Sequence, residues 1–212
     1  MARVHLTIPE EKLFDKDAVA LSFLQAASVS DVERSDVLLS CAPYAVNVGL
    51  TRMALAADVP FCDLGGNPET VAEQEKLAAK SKTAIVPDCG VSPGLSNILA
   101  VHCARAHGAD EVHVRCGGLP LERPDAGSNP LQYKLVFSPM GLISEYSGRV
   151  PVIREGRATT VEALSSTEPF DAEHEASPTS NNSPQVVSFL AGIGVRNYDY
   201  MTVRYLGHWG LV

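Results

Sequence analysis

The sequence predicts an α/β protein in which a parallel, helix-covered sheet is followed by a mixed, mostly antiparallel α+β region. Three observations predict it. Between Asp36 and His107 a short β-rich apolar run, a Gly, Pro or Asn loop and a helix-like stretch recur in order, the rhythm of βαβ units. After about Ala109 alternating apolar and polar runs follow one another without comparable helices between them, as half-buried antiparallel strands do. A hydrophobic content of 45% in 212 residues, with 20% charged, suffices for one or two packed cores.

The first strand is expected over Val37–Cys41, broken at Ala42-Pro43 and followed by a helix through Val46, Leu50 and Met53-Ala54. The second runs over Val59–Asp63 and stops at Gly65-Gly66. Asn67 then suits a helix N-cap, Pro68 the first helical position and Glu69 the positive end of the helix dipole, for a helix reaching about Lys80. Thr83–Val86 is the third strand. After Pro87-Asp88-Cys89-Gly90, Ser92-Pro93 repeats the cap-plus-proline start for a helix with Leu95, Ile98, Leu99 and Cys103 along one side. Beyond Ala109, strands are expected at Glu111–Cys116, Tyr133–Phe137 and Val150–Arg154. A long Ser/Thr/Pro/Asn-rich loop is expected over Ser165–Ser183, before a last helix and the strand Asp199–Tyr205.

A formal charge of −8 removes the electrostatic footprint of a nucleic-acid or anionic-membrane binder. No run approaches the roughly 20 apolar residues that span a bilayer, and the first residues lack a signal-peptide pattern, so a cytoplasmic protein is expected. Five cysteines, Cys41, Cys62, Cys89, Cys103 and Cys116, stand singly without CxxC spacing and read as reduced, mostly buried thiols. No histidine falls into an HxxxH or carboxylate–histidine cluster, so no metal site is expected.

Ligands of open parallel sheets sit beyond the carboxyl ends of the strands, which here are Cys41-Ala42-Pro43-Tyr44, Asp63-Leu64-Gly65-Gly66 and Asp88-Cys89-Gly90. Each alone is equally an ordinary strand-to-helix turn; their convergence is what points to a site. The GxGxxG turn of a dinucleotide site is absent, and Gly192-Ile193-Gly194 follows a helix-like segment and reads as a loop. Arg204-Tyr205-Leu206-Gly207-His208 gathers a guanidinium, a phenol and an imidazole around one glycine, either to recognise a carboxylate or as a solvated strand end. Lys134, in an otherwise apolar run, is an edge-strand charge or a ligand for an acidic substrate.

The strings CAPYAVN (Cys41–Asn47), DLGGN (Asp63–Asn67), PDCGVSPGLSN (Pro87–Asn97), GGLP (Gly117–Pro120), YKLVFSPMGLISEY (Tyr133–Tyr146) and RYLGH (Arg204–His208) occur in order and resemble the saccharopine dehydrogenase family, within it most of all the lysine 6-dehydrogenases. The resemblance implies a partial Rossmann domain over 1–108, with 1–35 atypical. It also implies a substrate and dimerisation domain with a mixed sheet over 109–195 and a closing segment over 196–212. The activity implied is NAD-dependent oxidative deamination of L-lysine at its ε-amine, with NADP as an alternative cofactor. A small amino-acid substrate and a homodimer are the partners.

Cys41, Ala42, Pro43, Tyr44, Asp63, Asp88, Cys89 and Gly90 correspond to the cofactor side. Tyr133, Lys134, Arg204 and His208 correspond to the substrate side, and Lys134, His208 and Asp88 are the catalytic candidates. Arg204→Ala is then expected to weaken substrate binding and leave the fold intact. The family's opening strand, GxGxxG turn, helix and acidic strand end are not found in residues 1–35. The alternative reading is therefore a non-catalytic remnant kept for dimerisation or ligand binding, or a relative acting on saccharopine or a carboxyalkyl polyamine.

Overall fold

A computed structural model describes residues 32–65, 67–135 and 139–212. The reading of residues 1–35 as atypical lies, up to residue 31, outside these, as do Gly66 and the end of the strand expected at Tyr133–Phe137. The chain divides into two compact units, Met1–Gly90 and Val91–Val212.

The first unit is a three-stranded parallel sheet in the order β1-β2-β3: β1 Leu38–Ser40, β2 Phe61–Asp63 and β3 Ile85–Val86. The register pairs Leu38 with Phe61 and Phe61 with Ile85. Helix α1 (Asn47–Ala57) follows a tight turn at Tyr44–Val46 and lays Leu50 and Ala54 on Phe61, with Leu38, Met53 and Ile85 around them. It ends at Asp58, whose φ of 54° lies in the left-handed region. Helix α2 (Pro68–Ala78) starts as its sequence directs. The Asn67 side chain accepts the Thr70 N–H at 2.9 Å, with Pro68 in the first turn and Glu69 behind it.

The second unit is a mixed six-stranded sheet centred on β9 (Asn197–Tyr205), in which every residue from Tyr198 onward is buried. One edge of β9 pairs in parallel with β4 (Glu111–Cys116). The other edge pairs antiparallel, first with β5 (Arg149–Arg154) at Tyr198 and then with β8 (His174–Pro178). β6 (Arg157–Glu162) forms a hairpin with β5, and the short β7 (Glu168–Pro169) flanks β8. Helices α3 (Leu95–His107) and α5 (Pro184–Gly192) cover one face, where Ala100, Ala104, Val112, Ile153, Val187, Leu190, Val195 and Tyr198 make the core. Helix α4 (Pro139–Glu145) precedes β5.

Several expectations are corrected. Ser165–Ser183 is not a long loop, for it contains β7 and β8, and Ala176, Ser177 and Thr179 are buried. Its polar residues misled because their hydroxyls are paired inside: Ser177 Oγ donates to Ser166 O at 2.8 Å, and Thr179 and Thr202 share a 2.7 Å bond. Tyr133–Leu135 is not a strand but an irregular segment. α3 starts at Leu95 rather than beside Ser92, because the Ser92 hydroxyl is engaged with Ser96 (2.9 Å) and Asn181 O (3.0 Å) and Gly94 takes the cap.

α3 also faces the other way from its apolar stripe. Ser96, Asn97, Ala100 and Ala104 are buried while Leu95, Ile98 and Leu99 are 51%, 67% and 53% exposed, since only the small side lets the helix close on Val112 and Leu190. This helix belongs to the second of the two compact units, which starts at Val91. The cysteines are free as expected but not buried: Cys41, Cys89 and Cys103 are exposed, Cys62 and Cys116 half-buried.

Candidate functional site

In the first unit, the turns after β2 and β3 meet on one buried carboxylate. Asp63, fully buried, accepts the Gly65 N–H at 2.7 Å and the Gln74 side-chain amide at 2.6 Å, and the Cys89 N–H reaches the Asp63 carbonyl at 2.7 Å. Gln74 donates also to Thr51 (3.0 Å), Thr51 to Asn47 O (2.8 Å), and Ser40 to the Asn47 side chain (2.7 Å), so the ends of β1 and β2 are tied to α1 and α2, and the turn after β3 to Asp63. Among the cofactor-side candidates, Asp63, Asp88 and Cys89 are therefore brought together and Gly65 with them, while Cys41 and Pro43 lie exposed at the end of β1.

Asp88 holds a φ of 61° and its carboxylate presses on Gly65, where a Cβ would fall 2.1 Å from Oδ1. Glycine is thus required at 65 by Asp88 as well as by its own φ of 75°. Burial, and then the neighbouring Asp63 charge, push the Asp88 carboxyl up to about 6. Desolvation and the charges around it also raise the Cys89 thiol, whose Sγ donates to Val86 O at 3.3 Å, so it is no thiolate nucleophile.

In the second unit, Arg204 and His208 meet in a buried cluster that includes three residues the sequence reading left out: Glu145, Tyr146 and Trp209. Arg204, 2% exposed, donates from Nε to the Tyr146 hydroxyl (2.9 Å), from Nη2 to Glu145 (3.3 Å) and from Nη1 to Val203 O (3.0 Å). Its guanidinium lies 4.7 Å from the Tyr133 ring centre, 5.7 Å from that of Tyr146 and 5.9 Å from that of Trp209. Thr202 donates to the same Glu145 oxygen at 2.8 Å.

The proton positions follow from the acceptors. His208 Nδ1 stands 2.8 Å from Leu131 O, which can only accept, so Nδ1 carries the hydrogen. Burial lowers the His208 pKa and keeps the ring neutral, leaving Nε2 to accept the Tyr146 O–H at 2.9 Å. Tyr146 therefore receives from Arg204 and gives to His208, and burial raises its phenol so that it keeps the proton. Burial also raises Glu145 against the pull of Arg204.

With Arg204 this enclosed and paired with Glu145, Arg204→Ala is expected to unsettle the fold rather than leave it intact. Tyr133 adjoins the cluster with its ring under Arg204, and its buried hydroxyl has no partner among the described residues. Lys134 is exposed on the irregular segment, apart from the buried cluster. The signal that could have revealed Glu145 is its place as an acid at the end of an otherwise apolar helix, MGLIS.

The resemblance implies a nicotinamide dinucleotide, and the described residues do not fit its pyrophosphate. Among them there is no GxGxxG turn opening a helix, and both oxygens of Asp63, the buried acid of the strand ends, already accept internal bonds. No group of three or more His, Cys, Asp or Glu among the described residues could hold a metal ion. No helix among them is long and apolar enough to cross a membrane.

Residues 90–212 match the family described as the saccharopine dehydrogenase C-terminal domain. By this match residues 90–212 are a C-terminal domain of saccharopine dehydrogenase type. The chain belongs to the saccharopine dehydrogenase C-terminal domain family.

It is 28% identical over 156 residues to the mitochondrial alpha-aminoadipic semialdehyde synthase of Mus musculus, covering 69% of this chain and 17% of that protein. To the saccharopine dehydrogenase [NADP(+), L-glutamate-forming] of Schizosaccharomyces pombe it is 24% identical, covering 65% of this chain and 31% of the relative. A solved structure of apo saccharopine dehydrogenase (L-Glu forming) from Saccharomyces cerevisiae shares the fold, with a TM-score of 0.60 and 19% identity over 91% of this chain and 44% of that one. The chain thus spans less than half the length of each of these proteins.

Proposed function

We propose that this chain is part of a nicotinamide-nucleotide-linked oxidoreductase acting on a C–N bond of a lysine-derived amino acid, with saccharopine as the substrate class. The observation that carries the reading is the family match across residues 90–212, with relatives named for saccharopine chemistry in support. Such a reaction removes a hydride from the carbon beside nitrogen, takes a proton from the amine and hydrolyses the resulting imine. The nucleotide, when bound, is the hydride acceptor.

The chain's own groups suit distinct tasks. Asp88, protonating near 6, can accept a proton at neutral pH. Lys134 offers an exposed cation to a carboxylate, and Tyr133 a hydroxyl donor without a partner among the described residues. His208 and Arg204 have their bonding directions committed inside the cluster and hold Tyr133 and Tyr146 in place. A homodimer and a compartment without membrane attachment complete the reading.

A second reading, NAD-dependent deamination of L-lysine at the ε-amine, is favoured by the strings at 41–47, 87–97 and 133–146. The test is an absorbance assay for reduced nicotinamide, with NAD or NADP and either saccharopine or L-lysine, run beside calorimetric titration of each nucleotide. Saccharopine-dependent reduction supports the first reading, and reduction with lysine alone selects the second. A folded, monodisperse protein that binds neither nucleotide and turns over neither substrate retires both in favour of a non-catalytic dimerisation or ligand-binding role.

A further inference from the structure

Indole and phenol are the aromatic side chains that give up one electron most readily. A phenol does so only if its proton leaves at the same time, because the phenol radical cation is a far stronger acid than imidazolium. The buried cluster of the second unit sets one indole against one phenol that has a base for that proton. Trp209, the single tryptophan, opens the short 3-10 turn Trp209–Leu211, and Tyr146 follows α4. Their ring centres lie 5.2 Å apart, with planes at 60°, so the two π-systems are in contact. On its far end the Tyr146 hydroxyl meets His208 Nε2 at 2.9 Å.

We propose that Trp209, Tyr146 and His208 form a one-electron relay, in which an oxidised Trp209 draws an electron from Tyr146 while the Tyr146 phenolic proton passes to His208 Nε2. The oxidant is a small diffusible radical of the inorganic or peroxyl class. It takes one electron from Trp209 and leaves an indole radical cation. The electron from Tyr146 restores the indole, the Tyr146 O–H bond breaks, and a new N–H bond forms on His208. The products are a neutral phenoxyl radical and an imidazolium, so charge and protons balance. An electron from a thiolate or ascorbate class of reductant returns the proton and resets the pair. The relay goes beyond the nicotinamide chemistry above and does not rest on it.

The surroundings bias the hole away from the indole. Trp209 Nε1 donates to Glu175 O at 3.3 Å, and a carbonyl is too weak a base to take its proton, so the oxidised indole keeps its positive charge. The Arg204 guanidinium, 5.9 Å from the indole centre, opposes that charge. His208 is neutral at rest because burial lowers its pKa, and its Nδ1 is committed to Leu131 O at 2.8 Å, so Nε2 is the basic atom. Neighbouring phenols lack such a base. Tyr205 gives its hydroxyl to Pro120 O at 2.9 Å, and the Tyr133 hydroxyl has no partner among the described residues.

The test is pulse radiolysis of the whole purified protein in azide solution, where the azide radical oxidises indole in preference to phenol. Transient absorption then separates the indolyl signal from the phenoxyl signal. The expected result is an indolyl signal that converts to phenoxyl at a rate independent of protein concentration and slower in heavy water. Tyr146→Phe is expected to abolish the conversion and Tyr133→Phe to leave it. His208→Gln is expected to slow it, since an amide is no base for the proton. An indolyl signal that decays with no phenoxyl, or a phenoxyl signal unchanged by Tyr146→Phe, overturns the relay. Equal rates in light and heavy water overturn the proton transfer to His208. Tyr146→Phe also takes an acceptor from Arg204 Nε, so if that variant fails to fold, the wild-type measurements in the two solvents decide alone.

Discussion

The two units of this protein solve the same problem at different scales. The first closes its sheet with strands of two and three residues, and its described core is a small group around Leu50, Ala54 and Phe61. Polar bonds do much of the remaining binding there, with the Asp63–Gln74–Thr51 and Ser40–Asn47 contacts fastening strand ends to helices. The second unit threads one nine-residue strand through its middle and buries an ion pair, two phenols and an indole beside it. Short strands suit a region made of turns, where side chains must reach a common edge. A long central strand suits a region that must stay assembled around charges.

The largest expected effect follows from removing the charge at the centre of the second unit. Arg204→Ala leaves Glu145 buried without its partner and Tyr146 without its donor, a loss on the order of 3–5 kcal/mol. Trp209, the single tryptophan, lies in this cluster, so its fluorescence reports unfolding of the second unit alone. That transition is expected to fall steeply while hydrogen exchange in α1 and α2 stays at its wild-type rate. An unmoved Trp209 transition removes the cluster from the list of what holds the unit.

The two units are also expected to answer pH with opposite sign. Asp88 binds its proton more tightly folded than unfolded, so its contribution is fully present below about 3.9 and is lost as pH rises through about 6. Asp88→Asn removes that loss, and is expected to stabilise the first unit by up to about 2–3 kcal/mol above pH 7, with little change at pH 4, read by exchange of the Phe61 and Asp63 amides. Equal shifts at both pH values argue that the ionised carboxylate carries no penalty.

His208 is lowered, so its contribution is present above its unfolded value of about 6.5 and is lost as pH falls through the folded value. Glu145, raised by burial, works against this, so the test is a difference. The Trp209 transition of wild type is expected to drop between pH 7 and 5 by more than that of His208→Gln, whose side-chain amide can still donate to Leu131 O. Parallel curves leave His208 without a role in acid sensitivity.

The smallest effect is local. Asn67→Ala deprives the Thr70 N–H of its acceptor and is expected to cost about 1 kcal/mol, confined to the first turn of α2. It should appear as faster exchange at Thr70 and Val71 with no movement of the Trp209 transition. A change in both would mean that the units unfold as one.

Much of the fold was legible because local chemistry and final structure agree. The Asn67-Pro68-Glu69 start, the first two strand–turn–helix units, the third strand and the alternation at 111–116 and 150–154 read correctly from residue type and period. What escaped was set by tertiary partners. The hydroxyl-rich 165–183 segment reads as loop until Thr179 is seen bonded to Thr202, and the Leu95–Leu99 stripe reads as core until Ala100 and Ala104 are seen to be what β4 admits. Of the candidate site residues, Arg204 and His208 of RYLGH share one buried cluster, which the sequence left open. Their connection runs through Tyr146 and Glu145, some 60 positions earlier, a distance in sequence no local pattern spans.

Strand β9 carries one more consequence. Every other strand of the second unit except β6 and β7 finds a neighbour in it, yet it is the last strand in the order of synthesis. A growing chain can therefore finish the first unit early, as proteins made from the N-terminus do. The second unit must wait with β4, β5 and β8 unpartnered on their β9 side until the final strand leaves the ribosome. A stop codon between residues 179 and 196 would yield a nascent product with β4, β5 and β8 exposed and an acid, Glu145, that lacks its guanidinium. Such a product is expected to stay unassembled in its second unit rather than fold as a smaller domain.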